Sequence, residues 1–382
     1  MKSVSVLGST GSIGCDTLRV IESNKEIYSI NVLTAKTNYK QLASQAIQYK
    51  PMYVGIAESK YYKDLKELLS GEKIEVVAGR EGIIEASKIY SDIVVSAIVG
   101  FAGLEPTYYS IKNGNRIAIA NKEALVCAGE LILKTAEEKG SELIPIDSEH
   151  NAIFQIFDFK RPLSINKITL TASGGPFLNC KLKDLSKVTP KEAINHPNWK
   201  MGNKITIDSA TMMNKGLEII EASLFFSLPS KDIEVLIHPQ SIIHGMVEYI
   251  DGTLLSVMGT PDMRSSISAA LSWPERNEIN IKGLNLIEIN TLNFYKPDTS
   301  RFPALNLARQ ALQTGGSAPS ILNAANEVAV SNFLSGKIGF LDIVTVVEIV
   351  MNKSHVNIIS CLGDVIEEDI KARKMANNII SL

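Results

Sequence analysis

The sequence predicts an α/β protein with three main parts: a mostly parallel sheet with helices at the N-terminus, a central α+β part and a small C-terminal helical domain. Three observations predict this class. Short β-rich runs alternate with helical patterns early in the chain, strands and helices mix in the middle, and the C-terminal part shows helical apolar spacing. With 382 residues, 45% of them hydrophobic, two or three domains are expected.

Seven β-rich runs predict the strands of the first sheet, because helical patterns lie between them. Helix candidates in this part include residues 39–49, 60–69 and 129–139. The predicted strands are 4–7, 30–34, 53–56, 75–77, 93–98, 116–120 and 143–146.

The remaining elements divide the rest of the chain. A helix start is indicated at Thr189, which can act as the N-cap, with Pro190 in the first turn. The strands predicted in the middle are 167–171, 233–237, 245–249 and 254–258, and the helices predicted near the end are 304–312, 321–334, 341–350 and 366–379. We therefore expect domains at 1–147, 148–272 and 303–382, with 273–302 as an extended connector.

The charge balance excludes broad classes of partner. With 39 basic and 41 acidic residues the net charge is −2, so no global field favours nucleic acid or anionic lipid. No apolar run approaches the roughly 20 residues that span a bilayer, and a first strand starting at about Ser3 leaves no room for a signal peptide. Cys15, Cys127, Cys180 and Cys361 form no Cys-x-x-Cys pair, which favours a reducing compartment, and we expect a cytoplasmic protein.

A glycine-rich turn follows the first strand. Gly8, Gly11 and Gly14 are spaced as G-x-x-G-x-x-G before a predicted helix, an arrangement that lets backbone N–H groups approach a pyrophosphate. We interpret residues 1–147 as a Rossmann-like NADP-binding domain; a tight strand-to-helix turn without a ligand is the alternative. The expected cofactor contacts in the turn are Thr10, Gly11, Ser12 and Ile13.

The end of the second strand indicates which dinucleotide is bound. A carboxylate there would bind the ribose of NAD, but this chain has Lys36 and Asn38. NADP is therefore favoured over NAD, against the alternative of a solvated loop with an unrelated lysine.

A second strand end, at residues 118–120, changes abruptly to polar residues. Asn121 and Glu123 are candidates for the nicotinamide ribose, and Lys122 for the reacting substrate. An ordinary charge pair at a helix start is the alternative.

Three carboxylates predict a metal site. Asp147 and Glu149 are two apart, so in extended chain they would point the same way. Glu218 would complete an oxygen site suited to Mg²⁺ or Mn²⁺. Capping of a following helix by Asp147 and Glu149 is the alternative.

Residues around Glu218 predict a phosphate site. On a helix, Asn214 and Glu218 share a face, with Lys215 beside them. Ser209 precedes this helix and Ser173 begins a Ser-Gly-Gly run, so hydroxyl, amide and ammonium groups can hold a phosphate. A simple turn at the Ser-Gly-Gly run is the alternative.

A polar loop containing His196, Trp199 and Met201 predicts a lid that closes over a ligand and excludes water. Buried packing of the tryptophan is the alternative. Gly202, at the end of this loop, is a further expected cofactor contact.

Together these motifs resemble the 1-deoxy-D-xylulose 5-phosphate reductoisomerase family over essentially the whole chain. The motifs that carry the resemblance are the glycine loop 8–14, Asn121-Lys122-Glu123, Asp147-Ser148-Glu149-His150-Asn151, Ser173-Gly174-Gly175, His196-Pro197-Asn198-Trp199 and the run 209–218. Further matches are 238–244, 261–264 and 322–327.

The resemblance implies an NADPH-dependent oxidoreductase. Its substrate would be a small sugar phosphate, 1-deoxy-D-xylulose 5-phosphate, converted to 2-C-methyl-D-erythritol 4-phosphate in the non-mevalonate isoprenoid pathway. A homodimer is implied as well. A bound divalent ion would polarise the carbonyl, and hydride from NADPH would reduce the rearranged aldehyde.

The resemblance also implies roles for single residues. It places Asp147, Glu149 and Glu218 on Mg²⁺ or Mn²⁺, and Lys122, Glu149, His196 and Glu218 in catalysis. The implied substrate contacts are Ser173, Ser209, Asn214 and Lys215 at the phosphate end, Ser148, Lys122 and His196 around the polyol, and Trp199 and Met201 on the lid.

Two competing functions follow from the same nucleotide-binding start. An NADP-dependent semialdehyde dehydrogenase would need a nucleophilic cysteine, but Cys180 has no matching sequence context. A non-catalytic NADP sensor would not need the carboxylates. This chain also departs from the common family pattern in the run Thr34-Ala35-Lys36-Thr37-Asn38, where members often have a glycine followed by a basic residue before the asparagine. It has Ala172 where a glycine is usual before Ser173.

Overall fold

The computed structural model describes residues 1–196, 199 and 201–381, which form two compact units. The first unit contains Met1–Ala124, Ile132–Asn151 and Asp262–Lys282. The second contains Leu125–Leu131, Ala152–Pro261 and the described residues from Gly283 onward.

A seven-stranded parallel sheet forms the centre of the first unit. Its strands are β1 (Lys2–Leu7), β2 (Tyr28–Ala35), β3 (Tyr53–Ile56), β4 (Glu75–Ala78), β5 (Ile93–Ser96), β6 (Arg116–Ile119) and β7 (Glu142–Pro145). They confirm all seven predicted runs, with no strand end off by more than two residues. Apolar side chains such as Val6, Leu33 and Val95 are fully buried, as expected for parallel strands covered by helices.

The strand order β4-β3-β2-β1-β5-β6-β7 reverses direction at the β1–β5 pair. The chain leaves β1 towards β2 on one side and returns to β5 on the other side. In such sheets ligands bind beyond the carboxyl ends of the strands at the reversal point. The glycine turn after β1 lies at this position.

The helices follow the predicted pattern along the chain. In chain order they are α1 (Ser12–Glu22), α2 (Tyr39–Tyr49), α3 (Tyr62–Leu68), α4 (Gly79–Ser87), α5 (Leu104–Ile111), α6 (Lys122–Lys139), α7 (Ser148–Ile156), α8 (Leu182–Leu185), α9 (Pro190–Ala193), α10 (Asn203–Ala210), α11 (Met213–Phe226), α12 (Met263–Ser272), α13 (Leu286–Ile289), α14 (Ala304–Thr314), α15 (Ala318–Leu334), α16 (Asp342–Lys353) and α17 (Leu362–Ile380). Thr189 caps α9, as predicted, in a capping box with Glu192. No helix among the described residues combines the length and the apolarity needed to cross a bilayer.

A four-stranded mixed sheet belongs to the second unit. Its strands are β8 (Ile165–Ala172), β9 (Ile233–Ile237), β10 (Ile243–Tyr249) and β11 (Leu254–Met258), in the order β11-β10-β8-β9. Strands β8 and β9 are parallel, whereas β10 is antiparallel to both of its neighbours. All four strands were predicted.

The units do not follow the segment boundaries expected from the sequence. Helix α12 belongs to the first unit, where it packs on α1 and β6. The C-terminal helices share one apolar core with the central part, through residues such as Leu170 of β8, Ile219 of α11 and Leu322 of α15. Part of the expected connector is also tied to the second unit, since Tyr295 pairs with Ile237 of β9.

Candidate active site

The glycine turn after β1 leaves no room for side chains. Gly8 has φ +93°, and a Cβ there would lie 2.7 Å from the Ala97 carbonyl oxygen. A Cβ on Gly14 would lie 2.3 Å from the Gly8 carbonyl oxygen. Helix α1 starts after Gly11 with no side-chain cap and no acidic residue in its first turn, so its N–H groups can receive an anion.

Two residues that the sequence analysis missed hold this turn in place. The Gly8 N–H donates to Thr34 Oγ1 at 2.9 Å, and the Ser9 N–H donates to the Thr34 carbonyl oxygen at 2.8 Å. Gln45 donates to the Ser9 carbonyl oxygen at 2.9 Å and accepts from the Ser9 hydroxyl at 2.7 Å. Of the predicted contacts, Gly11 and Ser12 are exposed at the tip, and Thr10 and Ile13 are half-buried.

Lys36 and Asn38 follow β2 on the surface of the first unit. The Lys36 carbonyl oxygen accepts the Glu58 N–H at 3.0 Å, which fixes the backbone while the side chain remains exposed. Asn38 caps α2 by accepting the Gln41 N–H at 3.3 Å. Their contact with a cofactor stays a prediction.

Asn121 caps α6, so a helix does start at this strand end. Lys122, however, forms its ion pair with Asp147. The Asn121 side chain accepts the Ala124 N–H at 2.7 Å and donates to the carbonyl oxygens of Gly100, at 2.9 Å, and Ile98. Glu123 is buried in the first turn. Contact of Asn121 and Glu123 with the nicotinamide ribose stays a prediction.

Asp147 and Glu149 do not lie in extended chain, so the strand-alternation argument for them was wrong. Strand β7 ends at Pro145 and α7 begins at Ser148, with Glu149 in its first turn. Asp147 immediately precedes the helix, and its carbonyl oxygen accepts the Asn151 N–H at 2.8 Å. The Ser148 hydroxyl donates to the Glu149 carboxylate, and Lys122 forms an ion pair with Asp147.

His150 is a further member of this cluster that sequence reasoning passed over. Its imidazole is fully buried, and Nδ1 lies 3.7 Å from Asp147 Oδ2. The i, i+3 spacing from Asp147 across the start of α7 was the signal that could have revealed it. The first unit therefore concentrates a lysine, a histidine and two carboxylates at the end of β7.

Glu218 of α11 is the most deeply buried of the candidate acids. It is 0% exposed, and Asn214 and Lys215 both donate to its carboxylate. Lys215 is itself 4% exposed, so the ion pair is shielded from water. The predicted helix face of amide, ammonium and carboxylate is confirmed. Such a pair is costly to bury and strongly destabilising to break on one side.

The backbone between Ser209 and Asn214 has an unusual conformation. Met212 has φ 62°, in the left-handed region, at the junction of α10 and α11. Its N–H donates to the Ser209 carbonyl oxygen at 3.2 Å, and its own carbonyl accepts the Gly216 N–H at 3.1 Å. Non-glycine residues in this region cost energy and concentrate at functional sites.

The Ser173 loop lies against the same junction. Gly175 has φ +68°, and a Cβ there would lie 2.8 Å from the Ser209 carbonyl oxygen. The Gly175 N–H donates to the Ser173 hydroxyl oxygen at 3.2 Å. The second unit therefore brings Ser173, Ser209, Asn214 and Lys215 to one region, as the phosphate-site prediction requires.

His196 connects the lid loop to Ser173. Its Nε2 lies 3.0 Å from Ser173 Oγ, and its Nδ1 accepts the Trp199 N–H at 3.0 Å. Because Nδ1 is an acceptor, the proton of the neutral ring is on Nε2 and is donated to Ser173. Burial lowers the pKa of His196 below its ordinary 6.5, which favours this neutral form.

The rest of the lid loop is described in part. The Trp199 ring lies 6.4 Å from the His244 ring, centroid to centroid, and is half-buried. Met201 is also half-buried, whereas Gly202 is exposed directly before α10. Pro197, Asn198 and Lys200, which the predicted lid includes, lie outside the described residues.

Comparison with known proteins identifies the family. A profile described as 1-deoxy-D-xylulose 5-phosphate reductoisomerase matches residues 4–129, and two profiles of the C-terminal domains of this enzyme match 143–226 and 258–375. The enzyme of this name from Rhodospirillum centenum is 49% identical over 381 residues, covering 100% of this chain and 95% of the relative. The chain belongs to the 1-deoxy-D-xylulose 5-phosphate reductoisomerase family.

Other relatives agree with this family assignment. The reductoisomerase from Zymomonas mobilis is 47% identical over 375 residues, which are 98% of this chain and 97% of the relative. Its solved structure in complex with NADPH has a TM-score of 0.94 at 45% identity and covers 99% of both chains. A reductoisomerase solved in complex with NADPH, fosmidomycin and magnesium has a TM-score of 0.95 at 40% identity, covering 100% of this chain and 99% of the other.

The stretches matched by the reductoisomerase profiles contain candidate residues from both units. The glycine turn and Asn121 lie in the first matched stretch, and Asp147 and Glu218 lie in the second. Neither alternative function, the semialdehyde dehydrogenase or the non-catalytic sensor, is favoured.

Proposed function

We propose that this protein converts 1-deoxy-D-xylulose 5-phosphate to 2-C-methyl-D-erythritol 4-phosphate, using NADPH and a divalent metal ion, Mg²⁺ or Mn²⁺. The observation that carries this proposal is the arrangement around Glu218. A carboxylate with no solvent exposure is bonded by Asn214 and Lys215. Ser209 lies in the last turn of α10, the helix that precedes α11. A sugar phosphate that is bound through a divalent ion needs a carboxylate for the ion and amide, ammonium and hydroxyl groups for the phosphate.

The proposed metal ligands are Asp147, Glu149 and Glu218. All three are carboxylates, which are the hard oxygen donors that Mg²⁺ and Mn²⁺ prefer. Asp147 forms an ion pair with Lys122, and Glu218 forms one with Lys215. Each of these two carboxylates therefore stays charged although it is largely shielded from water. A bound divalent ion would polarise the substrate carbonyl and stabilise the alkoxide that forms during rearrangement.

The phosphate end of the substrate is assigned to Ser173, Ser209, Asn214 and Lys215. The Ser173 hydroxyl oxygen accepts from His196 Nε2–H and from the Gly175 N–H. Its own proton is therefore left to be donated to a phosphate oxygen. The ammonium group of Lys215 supplies the charge-assisted contact.

NADPH is assigned to the turn after β1 and the neighbouring strand ends. The glycine turn fits a pyrophosphate, because Gly8 and Gly14 tolerate no Cβ and the first N–H groups of α1 lack a side-chain cap. Lys36 is the candidate for the 2′-phosphate, and Asn38, Asn121, Glu123 and Gly202 complete the proposed contacts. The bound cofactor would supply the hydride for the reduction step.

Lys122, Ser148 and His196 are assigned to the reacting part of the substrate. Lys122 and Ser148 are each buried and each bonded to one of the proposed metal ligands. His196 would act on the substrate through Ser173, because its Nε2–H orients the Ser173 hydroxyl while Nδ1 accepts the Trp199 N–H. Trp199 and Met201 would exclude water when the loop closes, which strengthens electrostatic interactions beneath it.

One assay tests the proposal. Purified protein is given 1-deoxy-D-xylulose 5-phosphate and NADPH, and the absorbance of NADPH is followed with Mg²⁺, with Mn²⁺ and with excess EDTA. We expect oxidation with either metal and none with EDTA. Turnover that survives chelation would contradict the metal mechanism, and no turnover with metal present would contradict the function.

The proposal includes a homodimer in the cytoplasm. Strand β11 forms the edge of the four-stranded sheet and exposes Leu254, Leu255 and Met258 to 53%, 41% and 36%. Exposed apolar edge strands invite pairing with another chain, here a second copy. Light scattering should give twice the chain mass, and Leu255→Lys should shift it to the monomer. Cys15, Cys127, Cys180 and Cys361 form no disulfide bond in the described part of the chain, which is compatible with a reducing compartment.

A further inference from the structure

The motif at 322–327 lies in α15 and has no role in the site described above, although residues 322–326 are fully buried. Asn326 is 0% exposed, and its Nδ2 donates to Asp208 Oδ1 at 2.8 Å. This is the only hydrogen bond that the Asn326 side chain makes among the described residues, because its Oδ1 has no partner there. A buried amide costs free energy unless its hydrogen bonds compensate, so the bond to Asp208 offsets part of the cost of burying Asn326.

Asp208 is a buried charge held from two directions. Its side chain is 1% exposed, and Lys204 Nζ lies 2.9 Å from Oδ2. Lys204 is one helical turn earlier in α10, two residues after Gly202 at the end of the lid loop. Asp208 therefore ties the first turn of α10, and with it the end of the lid loop, to α15 of the C-terminal helices.

The last turn of α10 carries the phosphate site. Ser209 follows Asp208 directly, and its carbonyl oxygen accepts the Met212 N–H. The same oxygen is where a Cβ on Gly175 would collide, at 2.8 Å. A shift of α10 along or around its axis would therefore move the Ser209 hydroxyl, the Ser173 loop and the left-handed turn at Met212 together.

We propose that Asp208, fixed by Asn326 and Lys204, is a positioning residue that sets α10 for binding the phosphate end of the substrate. It touches no reacting atom; it acts through Ser209 and the Ser173 loop. The inference rests on the proposed function, and it gives the motif in α15 a role in substrate affinity. A buried charged group of this kind does not by itself indicate added stability, since an apolar replacement is often as stable.

The test compares four full-length variants: Asn326→Ala, Asn326→Asp, Asp208→Asn and the double exchange Asp208→Asn with Asn326→Asp. For each, KM for 1-deoxy-D-xylulose 5-phosphate, KM for NADPH, kcat and the melting temperature are measured. Asn332→Ala is the control, because Asn332 lies in the same helix and its amide donates to the Val328 carbonyl oxygen of that helix, not to α10.

We expect Asn326→Ala to raise KM for the sugar phosphate about tenfold, the effect of losing one hydrogen bond to a charged group, with KM for NADPH changed less than twofold. Asn326→Asp should raise KM for the sugar phosphate further, because two carboxylates then face each other. The double exchange should lower this KM again towards the wild-type value, since an amide once more faces a carboxylate, with the two positions exchanged.

Two results would overturn the inference. One is an unchanged KM for the sugar phosphate in Asn326→Ala and Asn326→Asp, with only the melting temperature lowered. The other is a double exchange that is no better than Asn326→Asp. If Asn326→Asp does not fold, Asn326→Ser keeps the KM comparison. Wild-type protein assayed in parallel separates the two proposals: an inactive wild type contradicts the function itself, whereas an active wild type with unchanged variants contradicts only the role of Asp208.

Discussion

The Nε2 atom of His196 lies 3.0 Å from the Ser173 hydroxyl oxygen, while Nδ1 of the same ring accepts the Trp199 backbone N–H. One neutral imidazole thus connects the lid loop to the loop proposed to bind phosphate. Protonation of Nδ1 would remove its lone pair and break the contact with Trp199. The link between the two loops therefore depends on pH.

The first prediction concerns this pH dependence. Burial lowers the folded-state pKa of His196 below 6.5, so as pH falls through 6.5 the unfolded chain takes up a proton before the folded one does. The free energy of unfolding should decrease from pH 6.5 down to the lowered pKa and then level off. The free energy of unfolding is measured by urea denaturation at several pH values between 8 and 5. His196→Gln should remove this part of its decrease. His355→Gln, at an exposed position, is the control; equal slopes in wild type and His196→Gln would contradict the prediction.

The second prediction uses two glycines with nearly the same backbone conformation. Gly175 has φ +68° and Gly140 has φ +69°, but only at Gly175 would a Cβ meet another atom, the Ser209 carbonyl oxygen. Each alanine substitution should cost about 1–2 kcal/mol of stability from the left-handed backbone. Only Gly175→Ala should also raise KM for the sugar phosphate. A similar rise in Gly140→Ala would show that stability, and not the position of Ser209, controls KM.

The third prediction compares an exposed helix cap with a cap that also bonds to the protein interior. Asn38 and Asn121 both cap helices. The Asn38 amide donates to the Gln41 side chain in an exposed hydrogen bond, whereas the Asn121 amide donates to the carbonyl oxygens of Gly100 and Ile98. Asn38→Ala should cost about 1 kcal/mol of unfolding free energy. Asn121→Ala should cost about 2–3 kcal/mol, because a buried acceptor at Gly100 and a partly buried acceptor at Ile98 each lose a donor as well. Urea denaturation without cofactor measures both. Equal losses would mean that the carbonyl contacts contribute nothing.

Much of the fold was predictable because the signals are local. The strands are continuous apolar runs, and the cap at Thr189 depends on residues three positions apart. The mistake at Asp147 and Glu149 is local too. An apolar run before an acidic pair suggests a continuing strand, but β7 ends at Pro145 and the helix starts at Ser148, so the pair lies at a helix start.

The supporting residues of the site were not predictable, because each acts across a long stretch of sequence. Thr34 bonds to Gly8 across 26 positions, Gln45 to Ser9 across 36, and Asn326 to Asp208 across 118. No periodic pattern marks such partners. They become visible only when the fold brings strands β1 and β2, or helices α10 and α15, into contact.

The fourth prediction tests the central carboxylate. Glu218→Gln should abolish turnover, because the neutral amide is a poor ligand for a divalent ion, while NADPH binding should remain within about twofold, since the glycine turn belongs to the other unit. Glu221→Gln is the matched control, a buried acid on the same helix, and should retain turnover. NADPH binding is followed by fluorescence. Parallel loss of turnover and NADPH binding in Glu218→Gln would indicate misfolding instead.

The fifth prediction concerns cofactor choice. Lys36 is exposed at the end of β2, and its backbone is fixed by the Glu58 N–H. If its ammonium group contacts the 2′-phosphate, Lys36→Ala should lower the preference for NADPH over NADH, measured as the ratio of kcat/KM values, by about tenfold. This change corresponds to about 1.4 kcal/mol, near the lower end of the range for a hydrogen bond to a charged group. Lys40→Ala removes an exposed lysine one turn further on, from helix α2, and controls for the general loss of positive charge. The preference in Lys40→Ala should stay near that of wild type. Because NADH carries no 2′-phosphate, the KM for NADH should be unchanged in Lys36→Ala. A higher KM for both cofactors would mean that the lysine maintains the conformation of the loop. An unchanged preference would mean that Lys36 has no part in cofactor recognition.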